Sequence, residues 1–181
     1  MQATWPSENI LLALLCERPM HGYELAQIAQ NDEPLRAIWR MERSEVYFLL
    51  GKLQRGGLIE ETGQERGGGP RRVIYAPTTE GRAEAERWLR TPEAFPRNLR
   101  TAMLVRVYLL LRRDPPAAAE LIDAQLALLQ AWLGREQQRE DQDEIVRLVR
   151  GLRSAQVEAT VGALAELRAV AERKGAARTN N

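Results

Sequence analysis

Apolar residues recur along this chain mostly at helical spacing, and the breaks in that spacing mark the turns. Ile10, Leu11, Leu14 and Leu15 follow Ser7-Glu8-Asn9, where serine is a good N-cap, and predict a first helix over about 8–17. Leu25, Ile28 and Ala29 form one face of a short second helix, which His21 helps to cap and Asn31-Asp32-Glu33-Pro34 breaks. Val46, Leu49, Leu50 and Leu53 follow the i, i+3, i+4, i+7 pattern of a buried face and predict a third helix from Glu42 or Arg43. Gly56-Gly57 then supplies a left-handed C-cap. The period changes at once: 58–62 and 71–75 predict two strands of a hairpin, with GQERGGGP at its tip. Thr78 caps a fourth helix, whose apolar residues are Ala85, Trp88 and Leu89.

Beyond Pro92 the pattern lengthens. A linker over 93–97 leads into a helix that ends at Arg113, and Asp114-Pro115-Pro116 starts the next, since aspartate caps well and a first turn tolerates proline. After the polar segment REQQREDQDE, a last helix is predicted over about 143–173, with KGAARTNN as a frayed polar tail. A helix of about thirty residues spans about 45 Å. A chain of 181 residues offers few neighbours to cover its apolar stripe, so coiled-coil-like packing on a second subunit is expected. Leu126, Leu129, Trp132, Leu133, Val149, Leu152, Val161 and Leu164 are assigned to that dimerisation surface. The fold class expected is mainly α. Residues 1–91 form a winged helix-turn-helix, a three-helix unit plus a β-hairpin wing, and 92–181 form a long-helix dimerisation domain.

Composition narrows the function. With 44% hydrophobic and 28% charged residues the chain has an ordinary globular composition. One cysteine, Cys16, and one histidine, His21, make an internal disulfide impossible and a zinc site of the usual kind unexpected, so neither metal nor cofactor is predicted. Cys16 lies on the apolar side of the first helix and is expected as a buried thiol. The triple glycine is not a phosphate loop, because no Gly-Lys-Ser/Thr follows it. Ser7, Ser44 and Ser154 have no evident base, and no enzyme is predicted. MQATWPSENI has no signal-peptide pattern, and the longest apolar run, 103–111, is too short to cross a bilayer, so a cytoplasmic protein is expected.

Charge is unevenly placed although the formal net charge is +1. Residues 1–34 hold one basic side chain against five acidic, whereas 35–77 hold eight basic against five acidic. That second segment carries the third helix and the hairpin. A helix of this kind enters the DNA major groove, with a wing beside it on the backbone or minor groove. Arg43, Ser44 and Tyr47 share the exposed side of the helix's first half: arginine can pair with guanine O6 and N7, and the hydroxyls can donate to phosphate or a base edge. Lys52, Arg66, Arg71 and Arg72 make a basic rim of helix and wing that would meet phosphates.

Three stretches together resemble the PadR family of bacterial transcriptional regulators: PMHGYEL at 19–25, ERSEVYFLLGKLQRGGLIE at 42–60 and YAPTTEG at 75–81. The C-terminal half resembles, in length and layout, the longer PadR subfamily and the helical dimerisation domain of AphA-type activators. The resemblance implies double-stranded DNA as partner, a homodimer, and a phosphate-facing Tyr23 and Tyr47. It also implies a small aromatic effector in some relatives, for which Trp88, Tyr108 and Trp132 would be candidates, although packing in the dimer core accounts for them more simply. Glu42 departs from the pattern, since similar proteins often start the recognition helix with Ser or Thr. The expected function is a sequence-specific regulator, a repressor, binding a pseudo-palindromic operator with half-sites about one turn, roughly 34 Å, apart. A winged-helix module for protein interaction and an effector-capturing protein are the alternatives.

Overall fold

The computed structural model describes residues 6–65, 72–94, 99–139 and 143–179. The order is α1 (Pro6–Glu17), β1 (Met20–His21), α2 (Gly22–Asn31), α3 (Glu33–Ile38), α4 (Arg43–Arg55), β2 (Ile59–Glu65), β3 (Arg72–Pro77) and α5 (Thr79–Arg90). A π-helical turn (Leu99–Met103) then runs into α6 (Leu104–Arg113), followed by α7 (Pro115–Gln137) and α8 (Glu144–Thr179). Two units result, Met1–Thr91 with Leu104–Leu109, and Pro92–Met103 with Leu110–Asn181.

In the first unit α1 is the centre. Ile10, Leu11, Leu12, Leu14 and Leu15 are all fully buried, as expected of a helix that is apolar on every side. It packs on α4, α5 and β3. Leu25, Val46, Leu50, Leu53, Ile59 and Leu89 complete the core. Ser7 does not serve as the N-cap expected of it; it lies inside α1 and is buried. Cys16 is half-buried rather than buried.

Two small elements were not foreseen. Asp32 ends α2 and also caps α3, accepting from the Leu35 N–H at 3.0 Å, so the predicted break is a corner between helices. Met20 and His21 pair with Tyr75 and Ile74, which makes a three-stranded antiparallel sheet of order β1-β3-β2. Strand β2 extends to Glu65 with a bulge at Thr62, so Gly63, Gln64 and Glu65 belong to the strand and not to the turn. Gly57 has φ 69°, and the N–H groups of Gly57 and Leu58 donate to the carbonyls of Gln54 and Leu53 at 3.0 Å each. This is a Schellman closure of α4, and it launches β2 at a fixed angle. The first residues of α6 belong to this unit: the Tyr108 hydroxyl lies 2.7 Å from both Asp32 carboxylate oxygens, and the Arg106 guanidinium stacks 4.8 Å from the Trp88 ring centre.

The second unit is built on the pairing of α7 with α8. Asp114 caps α7 through the Ala117 N–H at 3.2 Å. Buried Gln125 accepts from the Glu93 N–H (2.7 Å) and donates to the Glu93 carbonyl (3.1 Å). Val157, Leu164 and Ala171 recur at seven-residue spacing and are buried. The chain thus covers much of the α8 stripe itself, where a partner had been expected along its whole length. The first turns of α8 differ: Ile145, Leu148, Val149 and Leu152 are exposed by 66%, 63%, 42% and 62%. The predicted frayed tail is helical as far as Thr179, and Arg178 donates to the carbonyls of Arg112 and Arg113 at the end of α6. Of the residues assigned to a subunit interface, Leu129 and Leu164 are core residues of this unit; Leu126, Trp132, Leu133 and Val161 are half-buried; Val149 and Leu152 face outward. Among the described residues, no helix is long and apolar enough to cross a membrane.

Candidate nucleic-acid interface

The face of α4 follows from its turn angle of about 100° per residue. Val46, Leu49, Leu50 and Leu53 occupy one side and are buried. The opposite side is a line of Ser44, Phe48, Gly51 and Arg55 along the axis. Tyr47 and Arg43 lie on one flank and Lys52 on the other. Glu42 takes the N-cap position in extended conformation but makes no side-chain cap bond. The exposed start of α4 is therefore a place where negative charge is favoured by the helix dipole and first-turn N–H groups.

Each flank is held by a neighbour. The Arg43 guanidinium lies 5.0 Å from the centre of the Tyr23 ring, a cation–π contact between the start of α4 and the start of α2. Tyr23 is 42% and Tyr47 46% exposed. A Cβ on Gly22 would come within 2.7 Å of Tyr47 Cε1 and 3.1 Å of Leu50 Cδ1, so the Tyr47 ring lies directly on the backbone at the N-terminus of α2. That close approach explains why glycine precedes tyrosine in the HGYEL segment. His21 caps the same helix, its Nδ1 accepting from the Glu24 N–H at 3.0 Å. Glu24 is paired with Arg18, and that hydrogen bond holds its carboxyl below the usual carboxylate range.

The structure brings Tyr23, Arg43, Ser44 and Tyr47 to one exposed region, with Arg55 further along the same helix. Lys52 is on α4 but already engaged: its ammonium pairs with the carboxylate of Glu8, a buried residue of α1. Arg66 and Arg71 lie outside the described residues. Arg72 pairs in register opposite Glu65 at the far end of the hairpin. Trp88 and Tyr108, named as effector candidates, are both used inside the first unit, while Trp132 is a half-buried residue of the second.

Sequence reasoning missed two features. Phe48, 64% exposed, stands in the middle of the outward line; its position four residues after Ser44 was the available signal. Arg36 and Arg40 line a shallow hollow of about 280 Å³ with Ala29, Gln30, Met41 and Glu42. They were missed because α3, which carries Arg36, was read as a break.

Part of the chain matches a known protein family. Residues 11–87 match the model of the Transcriptional regulator PadR-like family. Over that stretch, less than half of its length, the chain is similar to the PadR-like family. The Probable transcriptional regulator Rv1176c of Mycobacterium tuberculosis is 30% identical over 84 residues, 46% of this chain and 43% of that protein. The matched stretch thus spans less than half of this relative's length. Among solved structures, Bacillus subtilis PadR in complex with operator DNA is 20% identical and covers 94% of this chain and 99% of its own, with a TM-score of 0.48. The same protein with p-coumaric acid covers 93% of this chain and 99% of its own at 20% identity, with a TM-score of 0.43. The PadR match includes α2, α4, the hairpin and most of α5, the elements that build the α4 face.

Proposed function

We propose that this protein is a sequence-specific, DNA-binding transcriptional regulator that acts as a homodimer on a pseudo-palindromic operator. The observation that carries the reading is the outward face of α4. It is a helix closed by a Schellman turn onto a hairpin, with Ser44, Phe48 and Arg55 in line and Arg43, Tyr23 and Tyr47 packed along one edge. Such a helix fits the major groove, and its charged and hydroxyl side chains are those that meet phosphates and base edges. Lys52, tied to Glu8, contributes chiefly by fixing α4 on α1. The exposed start of α8 supplies a surface for a second copy, and two-fold symmetry then calls for two half-sites. Repression is the simplest use of such binding, since occupying a promoter requires no further surface.

Selection of bound duplexes from a random DNA pool, followed by fluorescence anisotropy, tests the reading. A recovered site with inverted half-sites is expected, with affinity falling steeply as salt rises. Arg43→Ala is expected to weaken binding about tenfold or more. No enrichment of any sequence at low salt would overturn the proposal and favour a protein-interaction module.

A further inference from the structure

Among the described residues of the first unit, the large apolar or aromatic side chains that stand exposed are Tyr23, Tyr47 and Phe48, all on α2 or α4. The two tyrosines have evident reasons to be there. Each has a polar tip for solvent or phosphate, one ring is covered by Arg43, and the other lies on Gly22. Phe48 has no polar atom and is the most exposed of the three at 64%. It is also the most central, between Ser44 and Arg55 on the line opposite the core. A phenyl ring there costs free energy in the unbound protein, because its surface is left in water.

We infer that Phe48 reads the 5-methyl group of a thymine in the major groove and is thereby a specificity-determining residue. The inference rests on the DNA-reading role proposed above for α4. The major-groove edge of a base pair offers donors, acceptors and a single apolar feature, the thymine methyl, and phenylalanine is among the side chains that match it. The neighbours divide the remaining work. Ser44, one turn before, and Arg55, two turns after, can hydrogen-bond to base edges or phosphates. Gly51, on the same line, carries no side chain of its own, and the Arg55 guanidinium lies close over it. Arg43 and Tyr47, on the flank, are placed for the backbone. The sequence preference contributed by Phe48 is therefore for a methyl-bearing pyrimidine, whatever the hydrogen-bonding pattern beside it.

The test uses the selected operator duplex with each thymine replaced in turn by deoxyuridine, which removes the methyl and leaves base pairing intact. The dissociation constant is measured for the full-length protein and for Phe48→Ala. In the wild type, one position in each half-site is expected to lose about fourfold on replacement, the effect of one buried methyl-sized group. Phe48→Ala is expected to be indifferent at that position and to respond like wild type at the others, with an unchanged salt slope. The ring lies outside the core, so the variant should keep its circular dichroism and melting temperature. Uniform sensitivity of both proteins at every thymine, or a Phe48→Ala variant that binds like wild type throughout, would overturn the inference. Either result would leave the regulator reading standing and make Phe48 a surface for another partner. Failure to select any operator would instead overturn the regulator reading and this inference with it.

Discussion

Gly81 decides how closely α5 can approach the start of the wing. A Cβ at this position would lie 1.9 Å from the carbonyl oxygen of Leu58. The same carbonyl accepts from the Thr78 N–H at 3.0 Å, while the Thr78 hydroxyl donates to the Gly57 carbonyl at 2.8 Å and caps the Gly81 N–H at 3.1 Å. Thr78 and Gly81 are thus a clamp between the end of α4 and the start of α5, which gives YAPTTEG a physical reason. Helix propensity alone would favour alanine at Gly81 by about 1 kcal/mol. The clash is with backbone and cannot be relieved by a rotamer, so a net loss of about 3 kcal/mol is expected for Gly81→Ala. A thermal melt reads the balance, and a melting temperature equal to or above wild type would show that α5 shifts freely.

At the scale of elements, legibility followed the length of the periodic signal and the chemistry of the ends. The helices that became α1, α2, α4, α5 and α7 were readable because each carries several apolar positions in phase, and Thr78, His21, Asp114 and Gly57 end or start them as their side chains or backbone freedom dictate. Strand β1 is two residues long and α3 six, too short to show a period, and in sequence an aspartate that caps α3 is indistinguishable from one that merely ends α2. The Lys52–Glu8 pair joins positions far apart in sequence, so Lys52 looked available for phosphate. The apolar positions of α8 were legible, but whether α7 or a second chain covers each depends on packing that periodicity does not encode. The corner between α1 and α2 offers a pH test at this scale. Glu24 titrates below its ordinary 4.5, first because of the Arg18 hydrogen bond. Its contribution is therefore present above pH 4.5 and lost as pH falls through the lowered value. Arg18→Gln is expected to be less stable than wild type at neutral pH, by no more than about 1 kcal/mol for so exposed a pair. Denaturant titrations of the two proteins should converge in acid; a difference that grew toward acid would contradict the assignment.

At the scale of the whole molecule, the apolar stripe of α8 divides into a buried part and an exposed part. Val157, Leu164 and Ala171 are buried within the chain, whereas Ile145, Leu148, Val149 and Leu152 make an exposed face at i, i+3, i+4 and i+7. In the proposed homodimer, four large aliphatic side chains on one helical face would give a second copy a seam of the kind two helices share. The two parts separate by mutation. Leu164→Ala should cost about 2–5 kcal/mol of stability through the cavity it leaves. Leu148→Glu with Leu152→Glu should leave the fold intact, because neither side chain is in the core, and should shift sedimentation from dimer to monomer. Operator affinity should then fall by about a hundredfold or more, since the second half-site contact is no longer held at high effective concentration. Affinity for a single half-site should be unchanged, because α4 and its supports lie in the other unit. A double variant that still sediments as a dimer would place the subunit contact elsewhere, and one that is monomeric yet binds the full operator like wild type would remove the dimer from the mechanism.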